Sequence, residues 1–329
     1  MAAQVLGACL LPPAFALNRR RCWRHFGTPL DDWIRNRTIE HILPRVEFAE
    51  ADYLGHGGDD LLVALRGFAA ARGLYDRAGY VLTTSGMWGG FRHIAPARDF
   101  VRSTLYQSRY AARNLLRLHE RLDPNKVLVG MRIRLGDFRA AGNPGDYGKV
   151  ANMSLPIEWF CNIASQLKAQ FADELQILIA SDGTPEQLRP LTTAYPCLTT
   201  ADLPNSNCSD VLALANADLL VCSASTYSAL AAFLSNSPYL WFAPGLHLHA
   251  QGCYSIGDFA LARGTERHAI GAAVAQFGAE PADWQPRGFA VDLDGRLPAI
   301  LAPMVVQCHA RRLWRYDLAS HGVTPKLSA

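Results

Sequence analysis

The stretch NKVLVGMRIRLGDF (residues 125–138) decides the fold: five apolar or small residues (127–131) lead into two arginines, a glycine and an aspartate. A run this short and this apolar is a strand buried on both faces. Downstream, PIEWFCNIASQLKAQF (156–171) has helical periodicity, and LQILIASDG (175–183) is a second buried strand ending in small polar residues. The alternation continues through TPEQLRPLTTAY (184–195), DVLALANA (210–217), DLLVCSAST (218–226), YSALAAFLS (227–235) and PYLWFAP (238–244). Short buried strands separated by single helices form parallel βαβ units, so this half is expected to be a doubly wound α/β domain. Ligands of such sheets sit beyond the carboxyl ends of the strands.

Upstream the pattern is less regular. Residues 1–9 (MAAQVLGAC) have helical composition without an N-cap, and Pro12 and Pro13 end any helix there. A short strand is expected near Ala14 to Asn18, one or two helices between Asp60 and Gly79, a strand at Tyr80–Thr84, then the glycine-rich loop SGMWGGFRH (85–93). Ala97 to Leu122 reads as one long amphipathic helix, with Phe100, Leu105, Tyr110, Leu115 and Leu118 as apolar markers. The change of pattern sets the expected domains at 1–123, 124–290 and 291–329, the last containing the amphipathic helix PAILAPMVVQCHARRLWRYDLAS (298–320).

Half of the 329 residues are hydrophobic and the formal charge is +3, which suits a large core and lacks the electrostatic footprint of a nucleic-acid binder. Eight cysteines are scattered with no CxxC, as expected of small core hydrophobes in a reducing compartment, so a cytoplasmic location is expected. The amino-terminal apolar run has no basic residue before Arg19 and does not fit a signal peptide. No window has the roughly 18 uninterrupted apolar residues of a membrane span, so no integral membrane segment is expected.

Three strand ends carry the candidate chemistry. Strand alternation puts Arg132 and Arg134 on one face, where two guanidiniums can grip a diphosphate, Gly136 lets the backbone turn close, and Asp137 can orient an arginine. A solvated pair of arginines at a strand end fits the same spacing. Asp182, before Gly183, can accept hydrogen bonds from a ribose or base, or simply form a turn. Ser225, Thr226, Tyr227 and Ser228 gather at a helix start, where Ser225 or Thr226 would cap it and the first-turn N–H groups would suit a phosphate. Together the three ends suggest a nucleotide diphosphate lying across the sheet edge. No GxSxG, GxxxxGK[ST] or HExxH motif is present, and His247 and His249 lack a third metal ligand nearby.

The order [HR]-x-R-x-G-D at 132–137, DYxxxxxxxLPIEWF at 146–160, strand-SDG at 181–183 and S-[ST]-[FY]-S-x-x-A-A-[FW]-L at 225–234 resembles GDP-fucose-dependent fucosyltransferases. The likeness is nearest to the bacterial α-1,2 type of glycosyltransferase family 11, more distant to the α-1,6 and protein O-fucosyltransferases, and covers residues 60–245. Arg132 stands where the family usually has histidine, Leu135 where it often has a second arginine, and Ala229 and Leu230 where tryptophans are frequent.

The resemblance implies a GT-B architecture of two Rossmann-like lobes, with GDP-fucose on the carboxyl-terminal lobe and a glycan acceptor against the amino-terminal one. It implies an inverting, metal-independent transfer of L-fucose to a glycan hydroxyl, the 2-OH of a galactoside, without a cofactor. Arg134 matches the arginine that contacts the donor diphosphate. Arg134 and Asp137 are the catalytic candidates; Arg132, Arg134, Gly136, Asp182, Ser225, Thr226, Tyr227 and Ser228 are the donor-binding ones. Family members begin with a strand and a GGLGNQMFQYA-type loop, and MAAQVLGA resembles the helix after it, so the amino-terminal lobe is expected to lack both. Two other readings fit these residues: a transferase for another sugar nucleotide, and a non-catalytic nucleotide- or glycan-binding remnant.

Overall fold

The computed structural model describes residues 6–7, 23–26, 30–56, 61–84, 97–141, 146–147, 153–243, 259–263 and 287–311. Two compact units divide at Arg98/Asp99. The first contains α1 (Leu30–Ile42), β1 (Arg45–Phe48), α2 (Glu50–Gly55), α3 (Leu61–Ala71) and β2 (Val81–Thr84). β1 and β2 are parallel, with Arg45 opposite Val81 and Phe48 opposite Thr84. Their core gathers Phe48, Tyr53, Leu65, Phe68 and Leu74, the Phe48 and Phe68 rings meeting edge-on at 5.0 Å. The interval Asp60–Gly79 holds a single described helix. It ends where Gly73 takes φ +60°, a conformation that a Cβ disfavours. The helix and strand expected before residue 20 fall almost entirely outside the described residues, as do the SGMWGGFRH loop and His247 and His249.

The second unit opens with α4 (Arg98–Tyr106) and α5 (Ala111–Arg121), which replace the single helix expected from Ala97 to Leu122. The break has a local cause. Ser108 is buried, its N–H bonds the Leu105 carbonyl, and its own carbonyl accepts from Ala111 N, two i to i+3 contacts that interrupt the α ladder. Both helices belong with the carboxyl-terminal sheet. Leu115 and Leu118 pack with Leu128 and Leu212, and Asn114 Nδ2 bonds the Pro204 carbonyl and Ser209 Oγ, each at 3.0 Å. The unit boundary therefore falls before these helices and not near Asp123, because burial, invisible in the change of pattern, ties them to the later chain.

β3 (Val127–Ile133) is an interior strand of a seven-stranded sheet. After it come a short parallel pair, β4 (Arg139–Ala140) and β5 (Met153–Ser154), then α6 (Ile157–Phe171), β6 (Leu175–Ser181), α7 (Pro185–Ala194), β7 (Cys197–Thr199), α8 (Asn207–Ala215), β8 (Leu219–Cys222), α9 (Thr226–Leu234) and β9 (Tyr239–Phe242). β10 (Phe259–Arg263), β11 (Gly288–Val291) and α10 (Leu301–Arg311) complete it. The sheet order is β10-β11-β9-β8-β3-β6-β7, and every described pairing is parallel. The chain thus steps outward from β3 through β6 to β7, then returns to β8 on the other side of β3. That reversal is the switch point of a Rossmann-like sheet.

Alternate residues of β3 explain the two faces. Val127, Val129, Met131 and Ile133 join Trp159, Ile163 and Leu167 of α6 and Leu301 and Val305 of α10. On the other face Leu128 meets α5 and α8. A Cβ on Gly130 would lie 3.0 Å from both the Ala217 Cβ and Leu214 Cδ2, so glycine permits the close approach of the α8 end. The LPIEWF segment seats α6: the Trp159 ring lies edge-on to Phe160 and Phe242, and its Nε1 donates to the Val291 carbonyl at 3.1 Å. The strands β7, β10 and β11 carry too few alternating or apolar residues to stand out in sequence. Arg287 helps place β11 by donating to the Ser235 and Ser237 carbonyls at 2.8 and 3.1 Å.

Candidate functional site

The register of β3 with its neighbours sets Arg132 opposite Ala180 of β6 and Cys222 of β8. The residues just past these positions therefore emerge together at the carboxyl edge of the switch point. The Ser223 hydroxyl ties the edge together. It donates to the Arg132 carbonyl at 2.7 Å and accepts from Arg134 N at 3.0 Å, while being 1% exposed. This serine stitches the end of β3 to β8 beyond the strand ladder, a role no sequence motif announces.

Arg134 lies between two carboxylates. Its guanidinium meets Asp182 Oδ2 at 2.7 Å and Asp137 Oδ1 at 2.5 Å, and it stands 5.0 Å over the Phe138 ring. The two acids differ. Asp182 also accepts from Leu135 N at 3.0 Å. Partial burial works against its charge, but the N–H groups of Leu135 and Gly136 and the guanidiniums of Arg132 and Arg134 outweigh it and hold the carboxyl below its ordinary value. The Asp137 side chain is 66% exposed, and no second hydrogen bond to it is found among the described residues. The expected Asp–Gly turn is present in part, since Gly183 N bonds Ser181 Oγ at 3.0 Å, and a Cβ on Gly183 would meet Leu135 Cδ1 at 2.6 Å.

Arg132 has different surroundings from Arg134. It is 5% exposed, donates from Nη1 to the Ala180 carbonyl at 3.0 Å, and stacks 4.5 Å over the Tyr227 ring. Its Nε has no partner among the described residues. The Tyr227 hydroxyl donates to the Asn207 carbonyl at the start of α8, and burial together with the nearby Asp210 pushes its phenol well above the ordinary value. Asp210 accepts from Ser206 Oγ at 3.0 Å. Burial raises its carboxyl to about 6 despite the hydrogen bonds of Thr200 and Ser206 and the charge of Arg132. Asp210 escapes sequence reading because an aspartate inside DVLALANA looks like a first-turn helix residue.

The serine cluster begins α9. Ser225 is its N-cap, accepting from Ser228 N at 3.2 Å, with the two hydroxyls 3.1 Å apart, and both side chains are buried. Thr226 is exposed. The structure thus brings Arg132, Arg134, Gly136, Asp137, Asp182 and the 225–228 segment to one end of one sheet. It engages Ser225, Ser228 and Tyr227 in internal bonds and leaves Arg134, Asp137 and Thr226 nearest to solvent. Tyr147 packs edge-on to Phe242 at 5.0 Å. Burial, with Glu158 and Asp146 nearby, raises its phenol.

Among the described residues no cluster of three or more His, Cys, Asp or Glu could hold a metal ion, and no helix is long and apolar enough to cross a membrane. The five described cysteines are free thiols. No family model, curated protein or solved structure matches the chain.

Proposed function

We propose that the chain is an inverting, metal-independent glycosyltransferase of GT-B architecture, moving L-fucose from GDP-fucose to a glycan hydroxyl, the 2-OH of a galactoside. The observation that carries this reading is the convergence of Arg134, Asp182 and the capped start of α9 at the carboxyl edge of the β3/β8 switch point. An anion placed there meets a guanidinium fork and the positive end of a helix dipole. In the reaction the acceptor hydroxyl oxygen bonds to the anomeric carbon from the face opposite the diphosphate, its proton passes to solvent, and the sugar–phosphate bond breaks. Both of its electrons go to the departing phosphate oxygen. Charge therefore grows on the diphosphate, and Arg134, held in place by Asp182, supplies the fixed positive counterpart. Arg132 acts behind it, joining the end of β6 to Tyr227.

The test is a thermal-shift series with GDP, GDP-fucose, UDP and ADP, followed by release of GDP from GDP-fucose on addition of galactosides. A ligand that binds only the folded state raises Tm. A rise specific to the guanine nucleotides with acceptor-dependent GDP release supports the assignment. A rise with UDP instead moves the donor to another sugar nucleotide, and a rise with GDP but no turnover supports a nucleotide-binding remnant.

A further inference from the structure

Arg134, the residue assigned above to the ligand's diphosphate, is already covered by acids of its own chain. At the carboxyl edge two guanidiniums, Arg132 and Arg134, face three carboxylates, Asp137, Asp182 and Asp210. Such an edge does not attract a dianion unless one carboxylate leaves. The three are not equally able to leave. Asp210 is 6% exposed and held by Ser206, and Asp182 carries the N–H groups of Leu135 and Gly136 as well as Arg134. Asp137 lies three residues beyond Arg134 in an exposed bend, and its described hydrogen bond is the one to that guanidinium.

We propose that Asp137 occupies on Arg134 the place of the ligand's phosphate in the ligand-free protein, and that anion binding exchanges one oxygen acid for another while Asp182 stays. This rests on the diphosphate-site reading given above, and it makes Asp137 an internal competitor in place of a catalytic candidate. Three features agree with it. A carboxylate and a phosphate present similar paired oxygens to a guanidinium fork. The Arg134 side chain is 13% exposed while so occupied, so a ligand gains full access only when a partner moves. The acid of this pair is 66% exposed and water readily solvates it on release, so its departure does not prevent binding but lowers affinity by a modest factor.

The experiment is calorimetric titration of GDP and of inorganic pyrophosphate into the full chain and into Asp137→Asn and Asp137→Ala, at low ionic strength. Asp173→Asn serves as a control for net charge, because it removes an acid paired with Lys168 at the turn that enters β6, at the amino end of the sheet. Both Asp137 variants should bind both anions about three- to fivefold more tightly than the unaltered chain, as expected for loss of an exposed competing pair, and Asp173→Asn should not. The paired variants guard against a local misfolding of either. Unchanged or weaker binding by both, with normal binding by the unaltered chain, overturns the competitor role and leaves the diphosphate site standing. Equal tightening by Asp173→Asn reduces the effect to net charge and also overturns it. If no protein in the series binds GDP or pyrophosphate, the diphosphate site itself falls, and the inference with it.

Discussion

A Cβ built on Gly136 would stand 2.9 Å from the carbonyl oxygen of Asp182 and 3.0 Å from its Oδ2. The two loops that leave β3 and β6 are in backbone contact at that point, and the same carboxylate receives Leu135 N and the Arg134 guanidinium. Gly136→Ala is therefore expected to push the loops apart. The expected loss is about 1–3 kcal/mol in urea unfolding, the range for an overpacked contact, and GDP affinity should fall along with it. Full stability with unchanged affinity would show that the loops can part without disturbing Arg134.

Replacing Arg134 with alanine should leave the fold in place, since the residue lies beyond the end of the β3 ladder, and should lower glycosyl transfer by about 100-fold or more. Arg134→Lys should recover only part of this. A single ammonium cannot keep Asp182 and a phosphate in one plane. Steady-state rates with circular-dichroism controls decide the matter, and a near-normal rate for Arg134→Ala would remove it from the donor site.

Transfer should continue in excess EDTA, because the proposed chemistry gives the leaving diphosphate a guanidinium and helix-terminal N–H groups as its positive partners. Rates measured before and after chelation, with manganese and magnesium added back, test this. Loss on chelation with recovery on adding metal would assign the charge stabilisation to a cation.

How far the site could be read from sequence depends on which forces wrote it. The central strands β3, β6, β8 and β9 announce themselves because burial on both faces demands unbroken apolar runs, and the arginine, aspartate and serine ends then fall into line at one edge. The difference between Arg132 and Arg134 could not be read. Period-two alternation puts both on one face, but Arg134 follows the last strand residue, and only the tertiary positions of Tyr227 and Asp182 send one inward and the other to the edge. Ser223 and Asp210 were silent for a related reason. Their partners are the backbone of Arg132 and Arg134 in one case and the side chains of Thr200 and Ser206 in the other, and neither leaves a periodic trace. The turn at Ser108 was hidden because the helical periodicity runs through it.

Burial pushes the Asp210 carboxyl up to about 6 in the folded protein against an ordinary value of 3.8. Between those values the folded state keeps a proton that the unfolded chain has released. Its contribution is thus fully present below about pH 4, declines as pH rises toward 6, and is flat above. A shift of this size amounts to about 3 kcal/mol as an order of magnitude. Asp210→Asn cannot titrate, and its amide oxygen can still accept from Ser206, so the variant should match the unaltered protein near pH 4 and exceed it in stability at pH 7. Asp182 works in the opposite direction, with its stabilisation lost only as pH falls below the ordinary carboxylate value, and it is common to both proteins, so it cancels in the difference. Urea unfolding of the pair at pH 4.5, 5.5 and 7.0 reads this directly. A stability difference that stays constant across the three pH values would mean that Asp210 is ionised throughout, paired with the Arg132 guanidinium in the folded state as firmly as water solvates it in the unfolded one.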